Sequence, residues 1–208
     1  MIALLLLCLF GFVKSDCNEE MDNLITNITN DDEIRREFQP ADLGTYWDEN
    51  TGTSVWDIKL YGLLFSLKRH GECELNFDDN DISVKSGLIA YRLDIHSSYQ
   101  CNIILFNILN VIISGKIHIK IGRVESKMTL LVELPFEESE LKSFNITRIE
   151  DFKVVSLTGF TYLFNWLAKY IFEVKIKSMF PHILHSLQEK IKKLVNDNME
   201  KFSKHFVL

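Results

Sequence analysis

The 208-residue chain predicts an α+β fold: a short N-terminal helix, an antiparallel β-meander, and a long, kinked C-terminal helix. Two changes of period predict it. From about Ile58 to Val154 apolar and polar residues alternate strictly, with no helix-sized segment between the runs, as expected of an antiparallel sheet with one wet face. From about Phe160 the apolar spacing becomes helical and stays so.

The chain opens MIALLLLCLFGFVKSDC. Ile2 to Val13 is apolar but shorter than the about 20 residues a bilayer span needs, and Val13-Lys14-Ser15 suits signal peptidase. The expectation is a secretory signal over residues 1–15, one domain over 16–208, and a secreted, extracellular protein. Asn27-Ile28-Thr29 and Asn145-Ile146-Thr147 are N-glycosylation acceptors on that reading. After Cys8 departs with the signal, Cys17, Cys73 and Cys101 remain, an odd number for an oxidising compartment. Cys73 and Cys101 both lie in strand-like segments and are the favoured pair, with Cys17 the spare; Cys17–Cys73 is the alternative that spacing alone leaves open.

Met21, Leu24, Ile25 and Ile28 recur at helical spacing and predict the short amphipathic helix, and Pro40 ends whatever begins there. Gly44 to Thr53 reads as a loop. The strands follow. Ile58 and Leu60 alternate with polar neighbours, as do Cys73, Leu75 and Phe77, then Ile89, Tyr91, Leu93 and Ile95. Lys116-Ile117-His118-Ile119-Lys120-Ile121 is the clearest case; Met128, Leu130, Val132 and Leu134 continue it, then Phe152 and Val154. Asp78 to Asp81, Ser114-Gly115, Gly122 and Pro135 read as turns between strands.

In the last segment Leu163, Leu167, Tyr170 and Val174 form one stripe, continued by Ile176, Phe180, Ile183, Leu187, Ile191 and Leu194. Pro181 should kink that helix. The window Tyr162–Ile183 is apolar, yet Lys169, Glu173, Lys175 and Lys177 fall inside it, and each charge costs about 2.5–3.5 kcal/mol at a bilayer centre. No transmembrane segment is expected; transient contact with a membrane surface stays open. The one-faced sheet needs this helix as cover, so it reads as a buried spine.

The charge of −6, one more negative without Lys14, argues against nucleic acid, which needs a basic footprint. Eleven acids in Asp16–Asn50 and eight lysines in Lys169–Lys204 suggest an acidic N-terminal segment lying near a basic C-terminal helix. No nucleophile elbow, P-loop, zincin or dinucleotide fingerprint is present. His182 and His185 lack a third ligand at recognisable spacing, and His70, His96 and His118 read as polar-face residues. No catalytic residue, metal or cofactor is expected.

Two stretches carry a resemblance. Ile58-Lys59-Leu60-Tyr61-Gly62-Leu63 followed by Lys68-Arg69-His70-Gly71-Glu72 is one, with Gly62 suited to a bulge and Gly71 to a turn. Val154-Val155-Ser156-Leu157-Thr158-Gly159-Phe160 running into the apolar helix is the other. From about Trp56 onward the chain resembles the tubular lipid-binding (TULIP) proteins: the bactericidal/permeability-increasing, takeout and juvenile-hormone-binding proteins, and above all the single-domain group-seven mite allergens. The short, Asn-rich N-terminal helix and the cysteines in the sheet depart from the allergen pattern. The resemblance implies a highly curved sheet wrapped around the long helix, with a lipid or other elongated apolar molecule between them and no covalent chemistry. Its candidate lining is Leu163, Leu167, Tyr170, Val174 and Phe180 from the helix, with Tyr91, Leu93, Ile117 and Ile119 from the sheet. The alternative is a secreted surface-interaction protein, allergen-like or innate-immune, with a filled core and Trp47 and Trp56 as anchors for a macromolecular partner.

Overall fold

The computed structural model describes residues 17–49, 52–78, 81–105, 109–133, 139–159 and 185–203. Helix α1 is Cys17–Asn30 and α2 is Asp32–Phe38. Strands β1 (Ala41–Asp42), β2 (Tyr46–Asp48) and β3 (Thr53–Tyr61) precede a one-turn helix, α3 (Leu63–Ser66). Then come β4 (Lys68–Phe77), β5 (Asp81–Leu105), β6 (Leu109–Glu133), β7 (Ser139–Glu150) and β8 (Lys153–Leu157). A helix over residues 185–197, α4, is followed by α5 (Met199–Ser203). The expected helix from Phe160, with its kink at Pro181 and with Leu163, Leu167, Tyr170, Val174 and Phe180, lies mostly outside the described residues.

The amphipathic stripe explains α1, whose Met21 and Ile25 are buried. A side-chain cap starts α2: Asp31 Oδ1 accepts from the backbone N–H groups of Glu33 and Ile34 at 2.8 and 3.1 Å, satisfying donors the helix cannot. Asp32 and Glu33 in its first turn and Arg35 and Arg36 in its last complement the helix dipole.

All eight strands form one antiparallel sheet around the β5–β6 hairpin, whose strands of 25 residues each pair from Asp81–Glu133 to Leu105–Leu109. Each long strand has two partners on its outer edge. β4 pairs with the first half of β5 and β3 with the second; β7 pairs with Arg123–Val132 in the second half of β6, and β8 with Ile117–Lys120 before it. Ser114-Gly115 and Gly122, expected as turns, lie inside β6: continuous pairing to β5 holds Ser114 and Gly115 in the strand, and pairing resumes on both sides of Gly122. The expected loop 44–53 instead contains β2, hairpinned onto β3 through Tyr46–Val55, Trp47–Ser54 and Asp48–Thr53.

The two halves of the sheet meet at a crease. The β5–β6 ladder skips one position, between the pairs Tyr91–Arg123 and Leu93–Ile121, where Arg92 is left-handed at φ 55°. On one side the inward residues are even-numbered (Ile82, Ala90, Leu130, Val132); on the other they are odd (Leu93, Tyr99, Ile117, Ile121). A Cβ on Gly122, in the skipped position, would lie 2.6 Å from Asp151 Cβ, so β6 must be bare where the chain passes from β7 to β8. Gly62 closes the other end of the line: its φ is 88°, and a Cβ there would come 2.8 Å from the Arg92 carbonyl oxygen. Its role is to start α3 rather than to form a bulge, whereas Gly71, expected in a turn, sits at the register shift between His70 and Glu74 within β4.

Cysteine pairing also differs from the favoured expectation. Cys17 and Cys73 are disulfide-bonded, with Cα atoms 5.5 Å apart. Cys101 keeps its thiol, wholly buried beside Tyr99, Ile117 and Val154. The reason is topological: β4 pairs only with Ile82–Ile89 of β5, so Cys73 never reaches the half of that strand that carries Cys101. Helix α1 instead crosses the inner face of the β4 side, where Met21 and Ile25 pack with Leu88.

Candidate functional site

The concave face of the sheet is apolar and partly covered. α1 lies over one flank, α2 and α3 over another, and α4 crosses the opening. Three polar ties hold α4 and α5 there. Lys190 Nζ donates to the carbonyl of Leu43 at 2.7 Å and to that of Thr45. Asn196 Oδ1 accepts from Leu141 N–H at 2.7 Å, and its Nδ2 donates to the Leu141 carbonyl at 3.4 Å. Lys201 pairs with Glu33 and Glu37 of α2. The helix thereby connects the β1 edge of the sheet with its β7 edge. Burial pushes the Lys190 amine below its ordinary pKa of 10.5, an effect Asp42 partly opposes. The expected meeting of acidic N-terminal segment and basic C-terminal helix takes the concrete form of the Lys201 pairs.

Between these elements is a cavity of about 170 Å³. Met21, Leu24, Ile25 and Ile28 line it from α1; Leu60, Ala90, Leu93, Ile121, Met128 and Leu130 from the sheet; Phe144, Ile146 and Ile149 from β7; Leu187, Ile191, Val195 and Met199 from the C-terminal helices. Ser126 is the one polar residue among the described residues of the lining. Such a lining offers apolar contact and exclusion of water, and among its described residues almost no hydrogen-bonding group to set an orientation. A wider depression of about 690 Å³, between Asn76, Asp78, Lys85 and Lys142, carries exposed charges of both signs and reads as solvated surface.

Of the sheet residues expected to line a site, Leu93 stands at the wall of this cavity. Ile117 and Ile119 point inward beyond the crease, in or against the second cluster with Tyr99, Cys101 and Val154. Tyr91 does not: it is 39% exposed. The left-handed turn at Arg92 separates it from the parity of Leu93, a break that a single alternating register could not foresee. Sequence reasoning also passed over the α1 and β7 contributions. The α1 stripe was visible as helical spacing; that it faces the concavity follows from the disulfide, from Asn18 Oδ1 accepting Cys73 N–H at 2.9 Å, and from the Asp22–Arg69 pair at 2.9 Å.

Among surface residues, Trp47 is 57% exposed on β2, while Trp56 is half-buried. Asn27 and Asn145 are both exposed, as sugar acceptors must be. No helix among the described residues is long and apolar enough to cross a membrane.

A search of curated proteins finds no match. Among solved structures, Takeout 1 of Epiphyas postvittana superposes with a TM-score of 0.49 at 14% identity, over 76% of this chain and 78% of that one. A lipopolysaccharide binding protein superposes with a TM-score of 0.36 at 13% identity, over 76% of this chain and 34% of that one. The Group 7 allergen family model matches residues 16–199. That match makes the chain a member of the Group 7 allergen family, the tubular lipid-binding type that its strand and helix motifs resemble.

Proposed function

We propose that the protein is a secreted carrier that holds a lipid or other elongated apolar molecule between α1, the concave sheet and the C-terminal helix, without covalent chemistry. The observation that carries this reading is the cavity lining, apolar among the described residues except for Ser126. Leu163, Leu167, Tyr170, Val174 and Phe180 are the proposed remainder of the lining, and residues 1–15 the proposed signal.

Volume sets what the cavity alone can hold. Its about 170 Å³ compares with the about 150 Å³ that accommodates benzene, so it takes on the order of six carbons. At about 0.8 kcal/mol per buried methylene this is roughly 5 kcal/mol before ordering costs, a dissociation constant of the order of 0.1–1 mM. Tighter binding therefore requires a guest longer than the cavity.

Displacement of a fluorescent fatty-acid analogue, combined with native mass spectrometry of protein from a eukaryotic secretory host, tests the proposal. Ala90→Leu, which builds into the cavity, should weaken probe binding at least about tenfold, the effect of about 1.4 kcal/mol. Phe77→Ala, at an exposed position, should leave it unchanged. A homogeneous ligand-free mass with no probe displacement refutes the carrier reading. It would favour the second one, a surface-interaction protein with a filled core, for which the exposed Trp47 is the supporting observation.

A further inference from the structure

Beyond the crease, the parity that sends Leu93, Ile95, Ile119 and Ile121 inward sends Asp94, His96 and His118 to the outer face. Asp94 and His96 are two apart on β5 and so share a face; His118 lies directly opposite His96 on β6. Pairing is continuous here, from Leu93–Ile121 to Leu105–Leu109, so three side chains with metal-ligating atoms rise from one stiff stretch of ladder.

Their ligand atoms all lie within 4.8 Å of one another. His118 Nε2 is 2.5 Å from Asp94 Oδ1, and the two imidazoles stack with centroids 4.2 Å apart and planes at 24°. Tyr61 on β3 meets His96 edge-on at 5.1 Å and walls one side. Tetrahedral zinc, with ligand bonds of about 2.0–2.2 Å, needs donor atoms roughly 3.3–3.5 Å apart. The carboxylate must therefore open from its hydrogen bond to His118, and donor atoms that now lie within 4.8 Å must settle at that spacing, motions that side-chain torsions supply without moving the strands.

We propose that Asp94, His96 and His118 form a binding site on the outer face of the sheet for a divalent transition-metal ion of the zinc, copper or nickel type. Two imidazoles and one carboxylate are the donors such ions take, in preference to calcium or magnesium. Three protein ligands leave a fourth position for water or for a donor from another molecule. The surroundings moderate the affinity. Lys120 Nζ stands 3.9 Å from Asp94 Oδ1, Lys59 is registered against His96, and Lys153 against Lys120. Lys120 is 58% exposed and can swing away. The site lies on the face opposite the apolar cavity, so it stands or falls independently of the carrier reading.

Zinc chloride titrated into the full chain, prepared without a histidine tag, tests this by calorimetry and by NMR of the histidine rings. One equivalent should bind, with the ring signals of His96 and His118 shifting together and those of the other four histidines unmoved. His96→Gln, His118→Gln and Asp94→Asn should each weaken binding at least about tenfold, with unchanged circular dichroism. Zinc binding that survives both histidine substitutions, absence of binding, or shifts confined to other histidines overturns the proposal. Should a variant misfold, the ring signals of the unsubstituted protein decide the matter alone.

Discussion

Replacing both Cys17 and Cys73 by alanine should cost the protein about 4 kcal/mol. The bond joins residues 56 apart in sequence, and closing a loop of that length removes about 14 cal/mol/K of entropy from the unfolded chain. In a chain of this size each kcal/mol moves the thermal midpoint by about 2–4 °C, so the midpoint should fall by roughly 8–16 °C. The fold should survive, because α1 keeps its other attachments. Met21 and Ile25 remain buried against Leu88, and Asp22 receives both Arg69 Nε and Nη2 at 3.0 and 2.9 Å, although that exposed pair is worth at most about 1 kcal/mol. Urea unfolding followed by tryptophan fluorescence, on the oxidised protein and the double variant, gives the difference directly. A loss under about 1 kcal/mol refutes the loop-entropy reasoning. Peptide mapping that finds Cys73 joined to Cys101 refutes the topology behind it.

The Cys101 thiol, 0% exposed, should resist maleimide labelling in the native protein and react fully in denaturant; native labelling would show that the Tyr99 cluster opens. Burial, with the neighbouring Cys101, pushes the Tyr99 phenol well above its ordinary 10.0. The folded state therefore holds a proton that the unfolded chain releases, and the associated stability is complete below pH 10 and lost as pH rises above it. Tyr99→Phe should flatten that alkaline decline while giving up about 1 kcal/mol at neutral pH, since the phenol donates to the Thr158 carbonyl at 2.7 Å. Comparing the two proteins by urea midpoint against pH also cancels the opposing slope from the lowered Lys190 amine. Gly122→Ala, whose Cβ would lie 2.6 Å from Asp151 Cβ, should cost about 1–3 kcal/mol of overpacking; a neutral result would mean that the crease yields readily.

Alternation made the strands legible, and helical spacing did the same for α1 and for Leu187, Ile191 and Leu194 near the end of the chain. What stayed hidden depends on which strands become neighbours. Cys73 and Cys101 both look like strand cysteines, and only the division of the β5 edge between β4 and β3 separates them. Gly122 resembles a turn because glycine is permissive in isolation; here it stands within a 25-residue strand between the paired Ile121 and Arg123. Tyr91 was misplaced because nothing about Arg92 in sequence announces a left-handed backbone. The Asp94–His96–His118 cluster escaped notice for a related reason. His96 and His118 are unremarkable apart, and the hairpin register brings them together.

The crease also bears on how such chains diverge. On either side of Arg92 and Gly122 the same two strands keep opposite parities, so each half carries its own apolar phase. A single-residue insertion within one half would turn that half inside out and leave the other intact. The same insertion at the crease itself could be absorbed where the phase already changes. Length variation among related sequences should therefore collect at this line and at strand ends, and the two halves should accept substitutions as separate units.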